Sequence, residues 1–104
     1  MVLLHIVCHS SEQATAIVDF LLDEKLVLNA IVSNKLVYKQ LNENKKESFE
    51  QTLVMGTTKA LLFSKINQRI QKKFTKHPPL IYAMPIIYMD ELQGDTLRER
   101  TEKV

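Results

Sequence analysis

The chain is poor in the residues that usually make a chemistry legible: among 104 residues it has one cysteine, two glycines, three prolines and no tryptophan. A lone Cys8 cannot close an internal disulfide, so nothing suggests an oxidising compartment, and a reducing cytoplasm is the expectation. Gly56 and Gly94 stand apart, and no P-loop, dinucleotide fingerprint, zinc-finger spacing or nucleophile motif is present. Catalysis needs a nucleophile or acid held beside a base, and no such pair stands at readable spacing. A protein that binds rather than turns over is therefore expected. No apolar run reaches the roughly 18 residues of a membrane span, and Met1-Val2-Leu3-Leu4-His5 has neither a basic n-region nor a long apolar h-region, so no anchor and no signal peptide are expected. Lys and Arg exceed Asp and Glu by only 14 to 12. That excess is too small for the dense positive surface that a phosphate backbone rewards, and nucleic acid is not an expected partner.

What is present is a folding composition, 45% hydrophobic and 25% charged, at a length that supports one core and hence one domain over residues 1–104. Val2 to Cys8 is a short run of branched apolar residues and predicts a first strand. Ser10 with Gln13 predicts a capped helix start, and Ala14, Ile17, Val18, Leu21 and Leu22 then fall on one helical face. Leu28 to Tyr38 is rich in strand formers. The polar segment 42–48 is too short for a parallel return, so the run Phe49 to Met55 predicts an antiparallel hairpin partner. Thr57 or Thr58 suits the N-cap of a second helix with Leu62, Phe63, Ile66, Ile70 and Phe74 on its inner face, ending before His77-Pro78-Pro79. Leu80 to Met89 predicts the last strand, with Pro85 marking a bend, bulge or edge. Asp90 to Val104 reads as a short, weakly anchored helix.

This order of elements, βαββαβ, predicts an α+β ferredoxin-like sandwich: an antiparallel four-stranded sheet with the first and third strands central and two helices on one face. The last strand is apolar on both faces. Two helices cover only one of them, so a second layer is required, most simply another copy of the same sheet.

Several landmarks in this frame resemble the CutA divalent-cation-tolerance family, which is similar in fold to the P-II signalling proteins. They are Cys8 and Ser10 at the end of the first strand, Asp23-Glu24-Lys25-Leu26 closing the first helix, Tyr38, the pair Thr57-Thr58, and His77-Pro78 leading into Pro79-Leu80-Ile81-Tyr82-Ala83-Met84-Pro85. The resemblance implies a homotrimer with ligand clefts between subunits, lined by Tyr38, Thr57 and Thr58. It also implies a divalent metal ion such as copper, with Cys8 and His77 as the metal ligands. The chain departs from the family pattern at recognisable positions. Gln40-Leu41-Asn42 replaces a Trp-x-Gly, Gly56 replaces a lysine, His77-Pro78-Pro79 is a shortened His-Pro-Tyr segment, and Leu80 stands where an acid is usual.

Each candidate also has a plainer reading. Strand alternation puts Cys8 on the face of Leu4 and Ile6, and puts His5 and His9 on the other face roughly 13 Å apart, so the three cannot converge in one subunit. Cys8 is then a small core residue unless a neighbouring subunit completes a site. Thr57 and Thr58 offer either helix capping or anion binding at a helix N-terminus. Tyr82, Met84, Tyr88 and Met89 suit core and interface packing, and the lysines of the second helix a solvated face. The alternative function is a P-II-like signalling or interaction module in which the segment Leu41 to Ser48, or the subunit edges, bind a partner protein or a small anion.

Overall fold

The computed structural model describes residues 1–104. Four strands, β1 (Val2–Cys8), β2 (Ile31–Asn42), β3 (Lys45–Thr58) and β4 (Leu80–Pro85), form one antiparallel sheet in the order β2-β3-β1-β4. The helices α1 (Ser11–Asp23) and α2 (Phe63–Lys73) follow β1 and β3, and α3 (Glu91–Arg100) follows β4. The ferredoxin-like arrangement predicted above is the one observed, with β1 and β3 central.

The core is a single layer between the sheet and two helices. Leu4, Ile6, Cys8 and Val54 project from the sheet, Ala14, Ile17 and Leu21 from α1, and Leu62, Ile66 and Ile70 from α2 and the turn before it. These are the faces that the helical spacing marks out, except that Leu22, expected on the inner face of α1, is 40% exposed. Ser10 caps α1, its Oγ accepting from the Gln13 N–H at 3.1 Å. The helix ends in a Schellman turn: the Leu26 N–H donates to the Leu21 carbonyl, the Lys25 N–H donates to the Leu22 carbonyl, and Lys25 takes the left-handed φ of 55°. This turn feeds Leu26 and Val27 into the core rather than into the sheet, so β2 starts at Ile31 and not at Leu28. Gly56 lies under the same crossing, where a Cβ would sit 3.1 Å from the Asn29 carbonyl oxygen; a longer side chain there would push the loop away.

Four expectations are corrected. The polar segment 42–48 is not a loop. Both strands run through it to a two-residue turn, Glu43-Asn44, with φ of 49° and 70°, the signs a type I′ hairpin requires. Neither Thr57 nor Thr58 caps the second helix, because a 3₁₀ turn at Ala60–Leu62 intervenes and Thr58 belongs to β3. The last strand stops at Pro85 rather than running to Met89; the Ile86 N–H still donates to the Met1 carbonyl beyond it, and Pro85 is tolerated because its N position faces away from β1 on the open edge of the sheet. The tail is anchored as well: Leu97 and Thr101 are buried, and the Glu102 N–H donates to the Lys25 carbonyl at 2.8 Å.

The hairpin projects beyond the body. β1 ends opposite Thr52, so residues 45–51 of β3 pair with β2 alone. The molecule is 46 Å long but only 27 and 21 Å across. At the root of this ribbon Asn34 and Lys35 bulge opposite Thr52, Lys35 at a φ of 56°, and the Thr52 hydroxyl donates to Asn34 Oδ1 at 3.2 Å. A bulge shifts alternation by one residue. Leu36 and Tyr38 thereby join Gln51 and Phe49 on the face opposite the helices.

Candidate functional site

The strand alternation that fills the core leaves a second set of side chains on the helix-free face. Leu3, His5 and Val7 of β1, Leu53 and Met55 of β3, and Leu80, Tyr82 and Met84 of β4 share it, and none of the eight is fully buried. The His5 and Tyr82 rings lie 5.4 Å apart on it. It is a largely apolar surface, continuous with the ribbon residues Leu36, Tyr38 and Phe49.

Where this face meets the ribbon, a cleft of about 390 Å³ opens between the ribbon and the proline loop, lined by Val7, His9, Tyr38, Gln40, Phe49, Gln51, Pro78, Pro79 and Leu80. One polar cluster fixes its rim. The Gln13 side-chain amide donates to the His77 carbonyl at 2.8 Å, and Gln13 Oε1 accepts from the His9 N–H, also at 2.8 Å. His9 Nε2 lies 3.1 Å from the Pro78 carbonyl oxygen. A carbonyl only accepts, so Nε2 is the donor of this bond. The His9 and His77 rings stand edge to face, with centroids 6.0 Å apart. Two further clefts meet at His9. One, of about 380 Å³, runs past Ser10, Glu12 and the Asn34-Lys35 bulge; the other, of about 490 Å³, runs past Lys73, Lys76 and His77.

This geometry sorts the sequence-predicted residues. Tyr38 lines the cleft beside the ribbon, and His77 lines the adjoining one. Thr57 faces a different groove of about 480 Å³, shared with Leu28, Asn29, Leu92 and Leu97. Thr58 is buried, and its hydroxyl donates to the Leu26 carbonyl at 2.5 Å, which ties β3 to the turn after α1. Cys8 is fully buried on the helix-covered face; Sγ lies 3.7 Å from the Ile6 carbonyl, and burial pushes the thiol up from 9.0 to about 11. It lines none of the clefts around His77. Within one chain no three His, Cys, Asp or Glu side chains converge into a metal site. The donor set implied by the resemblance thus does not fit: its thiol is sealed in the core and its acid is Leu80. Sequence reasoning passes over His9 as a site residue, although strand alternation turns it away from Cys8 and towards the cleft.

The architecture has close counterparts. Over 98% of this chain and 100% of the other, it superposes on the divalent cation tolerance protein Cut A1 of Thermus thermophilus with a TM-score of 0.89 at 24% identity. This chain has the CutA1 fold. CutA1 from Oryza sativa matches at a TM-score of 0.91 with 14% identity over 99% of this chain and 94% of that one. The periplasmic divalent cation tolerance protein CutA of Archaeoglobus fulgidus matches at 0.88 with 22% identity over 98% and 100%. No family model and no curated protein matches the sequence. Agreement over nearly the whole length of each chain at such low identity shows that the CutA1 fold is kept here by patterning rather than by residue identity. No helix is long and apolar enough to cross a membrane.

Proposed function

We propose that the chain works as a CutA-like homotrimer in divalent-cation tolerance, binding rather than transforming a ligand in clefts completed between subunits. The uncovered sheet face carries this reading. In a lone chain Leu80, Tyr82 and Met84 are 50%, 43% and 40% exposed, alternating along the strand with Ile81 and Ala83, which pack on the core. Contiguous apolar surface of this kind marks an interface. The ribbon needs one too, since an isolated two-stranded hairpin is marginal in water and this one exposes Val37 and Leu41 at 69% each. Seating the ribbon on a neighbour's sheet would wall the cleft at Tyr38 and His9 from a second side.

A second reading, a P-II-like module whose 41–48 segment contacts partners, loses its loop, because that segment is paired strand with a two-residue turn. Sedimentation analysis tests the assembly: a mass of three 12.0 kDa chains is expected, and a monomer at micromolar concentration overturns the shared cleft. Calorimetric titration with copper, zinc and a panel of nucleotides tests the ligand class. Metal binding supports the reading, and nucleotide binding without metal binding replaces it with the P-II-like one.

A further inference from the structure

We propose that the cleft beside the ribbon and the basic cleft adjoining it at His9 together bind one class of small molecule, a planar ring that carries a carboxylate or phosphate. The inference names the ligand of the cleft in the reading above and rests on that cleft being a binding site. Three features carry it.

The first is the character of the cleft beside the ribbon. None of its nine lining residues is Lys, Arg, Asp or Glu. Tyr38 and Phe49 are direct partners across the β2-β3 ladder, so they stand side by side on the ribbon wall, and Pro78 and Pro79 belong to the loop that faces it. Flat walls of this kind take a ring by stacking, a contact that tolerates many ring types. The side-chain amides of Gln40 and Gln51 add uncharged hydrogen-bonding groups to the same lining.

The second is the charge of the adjoining cleft. Its eight lining residues include Lys73, Lys76 and two histidines, and no carboxylate. The ion pairs of the chain engage Lys65, Arg69 and Arg98, so neither of these lysines is neutralised. Lys73 lies over the Phe20 ring, 5.5 Å from its centroid, a contact that leaves its charge in place. The carbonyl pole of α2 also ends here and is offset by the basic residues of its last turn, Lys72 and Lys73, which leaves Lys76 as surplus positive charge. An anion is attracted to such a lining and a free cation is repelled.

The third is the junction. His9 lines both clefts, and its ring is pinned by the 3.1 Å bond to the Pro78 carbonyl. Gln13 holds the His9 N–H and the His77 carbonyl at 2.8 Å each, so the two clefts are fixed relative to one another before a ligand arrives. A molecule that spans this rim sets its ring in the uncharged cleft and its anionic group in the basic one.

The test is isothermal titration of the full-length protein with indole-3-acetate and 1-naphthyl phosphate, with the neutral rings indole and 1-naphthol, and with acetate and inorganic phosphate. At least one ring-bearing anion is expected to bind at least tenfold more tightly than its neutral ring and its ring-free anion, and which one does so tells carboxylate from phosphate. Tyr38→Ala and Phe49→Ala should each weaken that binding at least tenfold, with Tyr38→Phe retaining most of it. Lys76→Gln should remove the preference for the anionic probe over the neutral ring. Lys103→Gln, in the tail that bonds to Lys25 at the other end of α1, should leave that preference unchanged. In the unmutated protein, raising the salt from about 0.05 M to about 0.5 M should weaken the anionic probe and spare the neutral ring. The proposal is overturned if no probe binds, if either part alone binds as tightly as the whole, or if Lys76→Gln keeps the preference. Sedimentation of the same samples separates this failure from that of the reading above: a trimer that binds none of the probes keeps the assembly and loses the proposal, whereas a monomer that binds them keeps the proposal and loses the shared cleft.

Discussion

Leu4, Ile6 and Cys8 alternate along β1 with Leu3, His5 and Val7, yet the first three are at most 1% exposed and none of the second three is fully buried. The two sets come from the same strand and differ only in what lies above them. Over the first sit α1 and α2; over the second, in a lone chain, there is only the rim of the cleft. A hydrophobic strand pattern therefore carries two kinds of information: one face specifies how this chain folds, and the other carries the apolar surface that the proposed trimer would bury. The covered face should respond to mutation as a core does, independently of protein concentration. The open face should respond as an interface does.

The largest effect that separates them is on the covered side. Ile66→Ala removes a fully buried side chain from the helix-sheet layer and is expected to cost about 2–5 kcal/mol in urea unfolding; a smaller loss, or one that varies with protein concentration, would break the distinction. Next comes Cys8. Its thiol is protonated in the fold up to about 11, against an ordinary 9.0. A raised folded-state value means that this contribution to stability is complete below pH 9 and disappears as pH rises towards 11. The decline amounts to up to about 3 kcal/mol. Cys8→Ala should lack that portion of the alkaline loss, which parallel denaturation series at about pH 8 and about pH 10.5 would reveal. On the open face, Tyr82→Ser should change the fold of one subunit little but weaken subunit association by tenfold or more, about 1.4 kcal/mol; unfolding at unchanged oligomeric mass would argue that the face is already structural within one chain. The smallest effect lies at the tip of the ribbon. Asn44 holds a φ of 70°, so Asn44→Gly should stabilise the hairpin by roughly 0.5–1 kcal/mol, measurable as a shift in the urea midpoint.

Much of the fold is legible because it rests on periodicity. The bounds of β1, the inner faces of α1 and α2, the Ser10 cap and the central placement of β1 and β3 all follow from spacing and handedness. The hairpin tip is not legible, because Glu43-Asn44 lacks the glycine that usually announces a tight turn, and polar residues on an exposed ribbon look like a loop. Leu28 to Ala30 reads as strand because strand formers also suit a loop that plugs a core. The site is far less legible. Tyr38 and His77 line surface clefts of the single chain, whereas Thr58 and Cys8 are held in the interior by a hydrogen bond and by burial.

Composition and periodicity alone determined the class of fold, the identity of its inner faces and the surplus of apolar surface on the last strand, because each depends on strand or helix repeats that the linear sequence displays directly. Only the tertiary structure decided that His9 and His77 become neighbours, that Gln13 fixes their spacing and that Cys8 is sealed away from both. Those relations join residues far apart in the chain through the packing of α1 against the proline loop, and no local pattern encodes the distance between two loops.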